Sequence, residues 1–465
     1  MKYSFFLFLF LLLNNMLTLS QSTNHNQVLA DLIVTKKWFD IENYYQENKD
    51  SIDDEFVKLW YIAETGNAFN RPIDAINAYE QLLDKNLLNM KYPVLLQLFG
   101  QPVLQLCADV QEYSKGENIC LKLMDIAKND TTVDPNNRLL GIQELTKVID
   151  SFKSFSDKYP KLQVFKSKKQ QNTIVHILPD TNDGIYFNSL WNGILLRTHF
   201  DTGACVGGYI WNRKIADKIG VKLNTSDTIM LNNNIYGLMG VVDSLQLGPF
   251  CFRAVPIFVS IEKIDSADHS QVKCDSIINS KFDIVLGTPI IKQLGIVAFD
   301  FRKKTMSFPL KEDSTYRRNL YIKNSTLYMN MKVCDDDFLA YFDTGWRTSG
   351  LFINSEFYNK HKDQIPSATL ATPVSGATGG CNKASISSGF EYKCPQIDIK
   401  ICNLDMQMIN ECSLSKEKEN DIQIGTIEGG ILGSVVFDKC EKAIFDFNNM
   451  VFRVEYLKKN QDSSH

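Results

Sequence analysis

The chain has 465 residues, of which 44% are hydrophobic, so it can bury more than one core and we expect two or three domains. Its formal net charge is only -4, and neither sign accumulates in a long block. This pattern argues against a nucleic-acid groove and against a polybasic membrane anchor. We therefore expect neither a nucleic acid nor a membrane as the partner.

The first twenty residues have the pattern of a secretory signal peptide. Lys2 supplies a positive start, Phe5 to Leu13 is an unbroken apolar run, and small residues stand at cleavage spacing before Ser20. The apolar run stops at Asn14, short of the roughly 20 residues that a membrane-spanning helix needs. We predict a signal peptide over residues 1–20 and an exported protein, periplasmic or secreted, without a membrane anchor.

The region from residue 23 to residue 160 has a helical pattern, with apolar side chains recurring every three or four residues. One such stripe consists of Ile73, Ala75, Ile76, Tyr79, Leu82 and Leu83. The stretches 75–86 and 119–129 resemble each other and resemble the helices of tetratricopeptide-like solenoids, with a plain helical bundle as the alternative. We predict an all-α helical array that offers a surface to a protein partner.

From Lys161 onwards the chain changes to short alternating runs rich in β-branched and aromatic residues, which is typical of an all-β region. This region contains one pattern twice. Each copy is an apolar strand that ends in Asp-Thr-Gly and is followed at a distance by two apolar residues and a glycine. The copies are Asp201-Thr202-Gly203 with Val285-Leu286-Gly287, and Asp343-Thr344-Gly345 with Ile431-Leu432-Gly433.

The spacing within the two copies is almost the same. Asp201 precedes Gly287 by 86 residues, Asp343 precedes Gly433 by 90, and each glycine is followed after 13 residues by a further aspartate. A single Asp-Thr-Gly is a common tight turn after a strand and carries little weight. Two copies at matched spacing indicate a duplicated β scaffold.

With this doubled motif the chain resembles the pepsin-like bilobal aspartic peptidases, and Asp201-Thr202-Gly203-Ala204 is also similar to the motif of retroviral, retropepsin-like proteases. The resemblance covers Lys161 to Tyr456. It implies a multidomain chain in which the helical array precedes an all-β bilobal aspartic-protease fold. Lobe 1 would occupy residues 161–310 and lobe 2 residues 311–457, followed by a disordered tail over 458–465.

The same resemblance implies an aspartic-type endopeptidase with Asp201 and Asp343 as its catalytic residues. Two carboxylates about 3 Å apart cannot both ionise, so they share one proton and activate a water that attacks a peptide bond. In that fold other motif residues hold the two catalytic loops by hydroxyl hydrogen bonds, by close backbone approach and by packing from beneath. These residues come in pairs, one from each copy: Thr202 and Thr344, Gly203 and Gly345, Gly287 and Gly433. The alternative is that they serve turn geometry alone.

A mobile hairpin over the cleft is expected to grip the peptide substrate. Asn232-Asn233-Asn234 is a turn cluster, and the following segment is similar to a short pepsin flap. Tyr236 and Gly237 are therefore predicted to contact substrate, and the alternative is an aromatic side chain packed in the core. Residues 375–380 form either a second flap-like loop or a plain connection.

The chain departs from the pepsin pattern directly after each Asp-Thr-Gly, where Ala204 and Trp346 replace the usual Ser or Thr. Without these hydroxyl donors the pair should be less acidic, which predicts a pH optimum above that of gastric enzymes. Both residues are expected in the substrate-binding region. Trp346 either fills a substrate subsite or packs under its loop.

Eleven cysteines give an odd number, so at least one thiol stays free. Cys394, Cys402, Cys412 and Cys440 are the first choices for disulfides in an exported chain, and buried free thiols are the alternative. The cysteines form no CxxC pair and the chain has only 6 histidines, so we expect no metal, and the chemistry calls for no cofactor.

A second hypothesis is a non-catalytic peptide- or protein-binding module built on a degenerate protease fold. Retention of both aspartates within their motifs argues against it, since a binding module has no need of either. The sequence contains neither GxSxG nor HExxH, the commonest signatures of serine hydrolases and metallopeptidases.

Overall fold

The computed structural model describes residues 24–456 except 87, 169–172, 179–183, 232–234, 262–280, 312–315, 324, 335, 347–350, 354–356, 358–359, 362, 364–368, 374–389, 394–396, 402–404, 410–411, 415–429 and 438–439. The chain divides into two compact units, Met1–Phe152 and Lys153–His465. The first is helical and the second mainly β, so the predicted order of a helical region followed by a β-rich region is confirmed. The predicted signal peptide, tail and second flap-like loop lie outside the described residues.

The helical region consists of α-helices joined by short turns. They are α1 His25–Thr35, α2 Trp38–Asn48, α3 Glu55–Ala68, α4 Pro72–Lys85, α5 Tyr92–Leu95, α6 Gln101–Asp109, α7 Tyr113–Asn129 and α8 Pro135–Lys158, with π-helical Leu96–Gly100 between α5 and α6. None of the described helices is both long and apolar enough to cross a bilayer.

Local sequence sets several of these helix ends. The side chain of Asn24 accepts a hydrogen bond from the Gln27 N–H at 3.2 Å and caps α1. Asp54 accepts one from the Val57 N–H at 3.0 Å and caps α3 in the same way. Asn86 ends α4 in the left-handed conformation, with its N–H bonded to the Leu82 carbonyl.

Apolar and aromatic side chains fill the core of the helical unit. The Phe99 ring lies 5.9 Å from Phe56, 6.2 Å from Trp60 and 6.5 Å from Tyr79, between ring centroids. The predicted stripe on α4 is buried from Ala75 onwards, but Ile73 is 43% exposed. Ile73 lies about 120° round the helix from the middle of the stripe, which corrects its assignment to the core.

The first half of the β unit is a sheet that closes on itself. Its strands are β1 Gln163–Lys166, β3 Ile185–Trp191, β4 Ile194–Asp201, β5 Gly208–Ile210, β6 Lys222–Leu231, β7 Ile235–Leu247, β8 Phe250–Ser260 and β9 Ile284–Gly287. Six of them pair in a ring in the order β3, β4, β9, β5, β8 and β7. β6 pairs with β7, and β1 with β8, outside this ring.

The second half contains a comparable sheet. Its strands are β12 Leu320–Lys323, β13 Thr326–Val333, β14 Asp336–Phe342, β15 Leu351–Ile353, β18 Ile397–Ile401, β19 Asp405–Ile409, β20 Cys412–Leu414 and β21 Gly430–Leu432. A separate hairpin pairs β16 Thr369–Pro373 with β17 Phe390–Lys393.

One arrangement occurs in both sheets. The antiparallel pair β3 and β4 corresponds to β13 and β14. The second strand of each pair then runs parallel to β9 or to β21. These two strands in turn pair antiparallel with β5 or β15, the short strand that follows each Asp-Thr-Gly. The doubled sequence motif therefore has a doubled strand topology.

A third sheet joins the two halves. It consists of β2 Val175–His176, β10 Ile296–Asp300, β11 Thr305–Ser307, β22 Cys440–Asp446 and β23 Val451–Tyr456, in the order β2-β11-β10-β22-β23. β10 of the first half pairs antiparallel with β22 of the second, with Ile296 opposite Asp446. Short helical segments complete the unit: α9 Arg213–Ile219, α10 Thr288–Ile291 and the 3-10 turns Lys292–Leu294 and Ser434–Phe437.

Cys440 was expected among the bridging cysteines. It is buried, and its Sγ donates to the Val436 carbonyl at 2.9 Å. Cys394 and Cys402 lie outside the described residues. Cys107, Cys120 and Cys251 are free cysteines.

Candidate active site

The two Asp-Thr-Gly loops follow directly from the strands that the duplicated sheets place alike. β4 ends at Asp201, which lies opposite Gly287 in the parallel pairing with β9. β14 ends one residue before Asp343, and the Asp343 N–H donates to the Leu432 carbonyl at 3.0 Å. Each aspartate is thus fixed at the end of a central strand, beside the glycine of its own repeat.

The two loops are locked to each other by their threonines. The Thr202 N–H donates to Thr344 Oγ1 at 3.0 Å, and the Thr344 N–H donates to Thr202 Oγ1 at 3.0 Å. Each hydroxyl then donates to the opposite strand, Thr202 to the Phe342 carbonyl at 2.6 Å and Thr344 to the Phe200 carbonyl at 2.9 Å. Both side chains are fully buried, so the loops form one hydrogen-bonded unit.

This lock brings the two carboxylates together. Gly203 faces the Asp343 carboxylate and Gly345 faces the Asp201 carboxylate so closely that a Cβ at either position would overlap it. Within each loop the glycine N–H also donates to the aspartate ahead of it, at 2.8 Å to Asp201 Oδ1 and at 2.9 Å to Asp343 Oδ1. The glycines are therefore required for the approach as well as for the turn.

The environment of the pair favours one shared proton. Burial raises the pKa of Asp343 well above its ordinary value, and the charge of Asp201 beside it raises that pKa further. The N–H groups of Gly345 and Trp346 oppose this shift by favouring the charged form of Asp343. Because the two carboxylates face each other across the glycines of their loops, the pair favours a state with one proton between them.

The segments around Gly287 and Gly433 hold the loops through backbone contacts. A Cβ at Gly287 would overlap the Val206 carbonyl, and one at Gly433 would overlap the Trp346 carbonyl. The next residue adds a hydrogen bond in each copy: Thr288 Oγ1 donates to the Thr202 carbonyl at 2.7 Å, and the Ser434 N–H donates to the Trp346 carbonyl at 2.8 Å.

Thr288 and Ser434 were missed by sequence reasoning. The signal was present, because both copies carry a hydroxyl residue directly after the glycine.

Aromatic side chains support the loops from the sheet that joins the halves. Phe200 precedes Asp201 and packs against Phe299 and Phe445, with centroids 5.1 and 5.8 Å away. Phe342 precedes Asp343 and packs against Phe445 at 5.5 Å and Phe452 at 4.8 Å. Phe445 thus touches the strand ends of both copies and links their positions.

Ala204 and Trp346, which follow the two motifs, have different surroundings. Trp346 is only 7% exposed, and its ring edge lies against Gly433, with Cε3 at 3.0 Å from a Cβ built there. Ala204 instead packs against a small apolar cluster. The buried members of that cluster are Tyr209, Phe258 and Val285, and Ile229 and Met239 of the β6–β7 hairpin pack against it as well.

The predicted flap corresponds to the hairpin of β6 and β7. Tyr236 pairs with Met230 across this hairpin, and its carbonyl accepts a hydrogen bond from the Ile261 N–H at 2.8 Å. Gly237 lies opposite Ser260 of β8, where a Cβ would overlap the Phe258 ring. The turn residues 232–234 lie outside the described residues. Contact of Tyr236 and Gly237 with substrate stays a prediction.

A third residue that sequence reasoning missed is Tyr341. Its hydroxyl donates to the Gly203 carbonyl at 2.8 Å, so a side chain of the second half reaches the Asp-Thr-Gly loop of the first. No sequence motif marks this contact, because it depends on the way in which the two halves pack. Within the described part of the chain, no group of three or more His, Cys, Asp or Glu is placed to hold a metal ion.

Comparison with known proteins finds distant similarity among solved structures. No protein-family model matches the chain, and no curated protein matches it. Among solved structures, the crystal structure of a retropepsin-like aspartic protease from Rickettsia conorii is similar to this chain, with 17% sequence identity and a TM-score of 0.20. The similarity covers 31% of this chain and 91% of that one.

Proposed function

We propose that the chain is an aspartic-type endopeptidase that hydrolyses a peptide or protein substrate with a water activated between Asp201 and Asp343. The observation that carries this proposal is the close approach of two carboxylates, one from each copy of a duplicated motif, each of which lies against the glycine of the other loop. A pair of buried acids destabilises the fold, because each carboxylate disfavours the ionisation of the other. Retention of such a pair therefore points to a use for its shared proton.

The surroundings of the pair suggest a division of roles. Burial and the neighbouring carboxylate raise the pKa of Asp343, so we assign the shared proton to Asp343. Asp201 takes a proton from the bound water, the water oxygen attacks the peptide carbonyl carbon, and Asp343 donates its hydrogen bond to the developing oxyanion. Protonation of the leaving amine then completes the cleavage and returns the pair to a single proton.

The experiment compares the purified protein with Asp201→Asn and Asp343→Asn on a broad peptide mixture over a range of pH. Asp337→Asn is the matched control. Asp337 lies on β14, the strand that leads to Asp343, and its side chain forms a surface ion pair with Lys332. We expect each active-site variant to lose at least about a thousandfold in kcat/KM, and the control to keep its activity. A statine-type peptide should inhibit the wild type.

Two results would change the proposal. Cleavage that survives either active-site substitution would rule out the shared-proton mechanism. Saturable binding of peptides by the wild type without cleavage at any pH would instead support the non-catalytic binding module.

Export is a separate part of the proposal and rests on the pattern of residues 1–20 alone. Expression of the full chain in a cell with a secretory pathway should yield a mature protein that begins close to residue 21, as measured by N-terminal sequencing. A retained Met1 in the exported fraction would contradict it.

A further inference from the structure

Tyr341 lies on β14, and its hydroxyl reaches the Asp201 loop of the other half. It precedes Asp343 by two residues, and its hydroxyl donates to the carbonyl of Gly203 at 2.8 Å. Gly203 is also the residue against which the Asp343 carboxylate lies. The hydrogen bond therefore acts at the point where the first loop meets the second aspartate.

The two halves differ at this position although their topology is the same. The residue two places before Asp201 is His199, which stacks on Tyr186 at 4.5 Å and lies 5.1 Å from Phe282. In the second half Tyr341 packs beside Tyr328 at 5.9 Å and uses its hydroxyl on the other loop. The two copies of the shared strand arrangement therefore differ beside the aspartates.

The groups that face Tyr341 keep its hydroxyl protonated. They are Asp343, Asp201, Cys205 and Tyr328. Burial raises the pKa of Tyr341 well above its usual value, and the two aspartates raise it further. The phenol is therefore a permanent hydrogen-bond donor over the pH range in which the aspartic pair titrates.

We propose that Tyr341 is a positioning residue of the aspartic pair, which holds the Asp201 loop by its Gly203 carbonyl and so keeps the two carboxylates in contact. This inference rests on the proposed function for its effect on catalysis, but its effect on the carboxylates does not need activity. An aromatic ring with one fixed hydrogen bond has few rotatable bonds, which suits a rigid strut between two loops.

Loss of the hydroxyl should have a specific effect on the pair. The threonine lock would remain, but the Gly203 end of the first loop would move more freely and admit water between the carboxylates. Less burial means a lower pKa for Asp343, because burial is the largest cause of its elevation. The alkaline limb of the pH–activity profile, where the shared proton is lost, should then move to lower pH.

The test compares Tyr341→Phe with Tyr328→Phe, which removes the same hydroxyl from the neighbouring ring on β13. For Tyr341→Phe we expect kcat to fall about five- to tenfold, the size of one lost hydrogen bond, with little change in KM. Its alkaline limb should move to lower pH, and Tyr328→Phe should match the wild type. Tyr341→His introduces the residue found at this position in the first half. We expect it to lower kcat and to move the alkaline limb to lower pH, as Tyr341→Phe does.

A second measurement makes the inference independent of activity. Proteins labelled with 13C at aspartate carboxyl groups are titrated by NMR, and the Asp343 signal is assigned by its absence from Asp343→Asn. The Asp343 titration should move to lower pH in Tyr341→Phe and stay in place in Tyr328→Phe. An inactive wild type would contradict the proposed function only. A folded Tyr341→Phe with wild-type carboxyl titration would overturn the role of Tyr341.

Discussion

Asp201 and Asp343 share a sequence motif but not the same surroundings. The residues two places before them are His199 and Tyr341, and those three places after them are Ala204 and Trp346. The loop itself is the same in both copies, with the glycine N–H bonded to the aspartate ahead of it. The Asp-Thr-Gly loop is therefore alike in both copies, while the residues beside each carboxylate differ and give two identical acids different environments.

The raised pKa of Asp343 predicts a change in stability with pH. Its folded pKa lies above its unfolded value near 4, so burial of the charged form weakens the fold as pH rises from about 4 through the raised pKa. Asp343→Asn removes this cost. We expect Asp343→Asn to exceed the wild type in free energy of unfolding at pH 7 by about 1–3 kcal/mol, and the difference to vanish below about pH 4.

Urea unfolding at a series of pH values measures this difference, with Asp337→Asn as the control because Asp337 is exposed on the surface. The control should follow the wild type throughout. An equal stability of Asp343→Asn and wild type at pH 7 would contradict the buried, proton-sharing environment inferred for the pair.

At the scale of elements, the ends of β4 and β14 and the apolar-apolar-glycine segments of β9 and β21 determine where the aspartates lie. Sequence analysis predicted these segments from their apolar-apolar-glycine pattern, because a glycine is needed where two backbones pass without room for a side chain. It did not predict Phe200, Phe342 or Phe445, whose common packing depends on β10 and β22 becoming neighbours. Periodicity reports the buried face of a strand but not which strand will cover it.

Gly287→Ala tests this backbone contact. The new methyl group would overlap the Val206 carbonyl, so the loop of Asp201 has to shift. We expect the free energy of unfolding of the β unit to fall by about 2–3 kcal/mol, the usual cost of overpacking, together with a loss of peptidase activity.

Gly193→Ala is the control for this experiment. Gly193 has a positive φ of 78° with nothing within 4 Å of a Cβ, so its substitution measures conformational strain alone, about 1–2 kcal/mol. If Gly287→Ala costs no more than Gly193→Ala and retains activity, the close packing beneath the first loop is not needed.

At the scale of the whole molecule, the chain consists of two units that each have a hydrophobic core. The helical core is built from residues between Leu29 and Phe152. The β unit has the aromatic packing around Phe445 and the core of the closed sheet. The change from helical to alternating pattern near Lys161 predicted this order, because the two periodicities are visible in the sequence itself. The prediction that the two distant Asp-Thr-Gly motifs belong to one site rested on their matched spacing in the sequence.

Calorimetry should reveal the two cores as two unfolding transitions. On the proposed function a statine-type peptide is a ligand of the folded β unit, so we expect it to raise the midpoint of one transition and leave the other in place. At a hundredfold excess over its Kd the stabilisation is about 2.7 kcal/mol. A single transition that moves as a whole would show that the helical and β units unfold together.

The threonine lock has a consequence for the order of events during synthesis of the chain. Thr202 and Thr344 are 142 residues apart, and each depends on the other for its hydrogen bonds. When the first loop leaves the ribosome, its counterpart has not yet been made, and β22 follows later still. A nascent chain therefore carries Asp201 without Asp343 beside it, and the two carboxylates meet only after the last strands have been released.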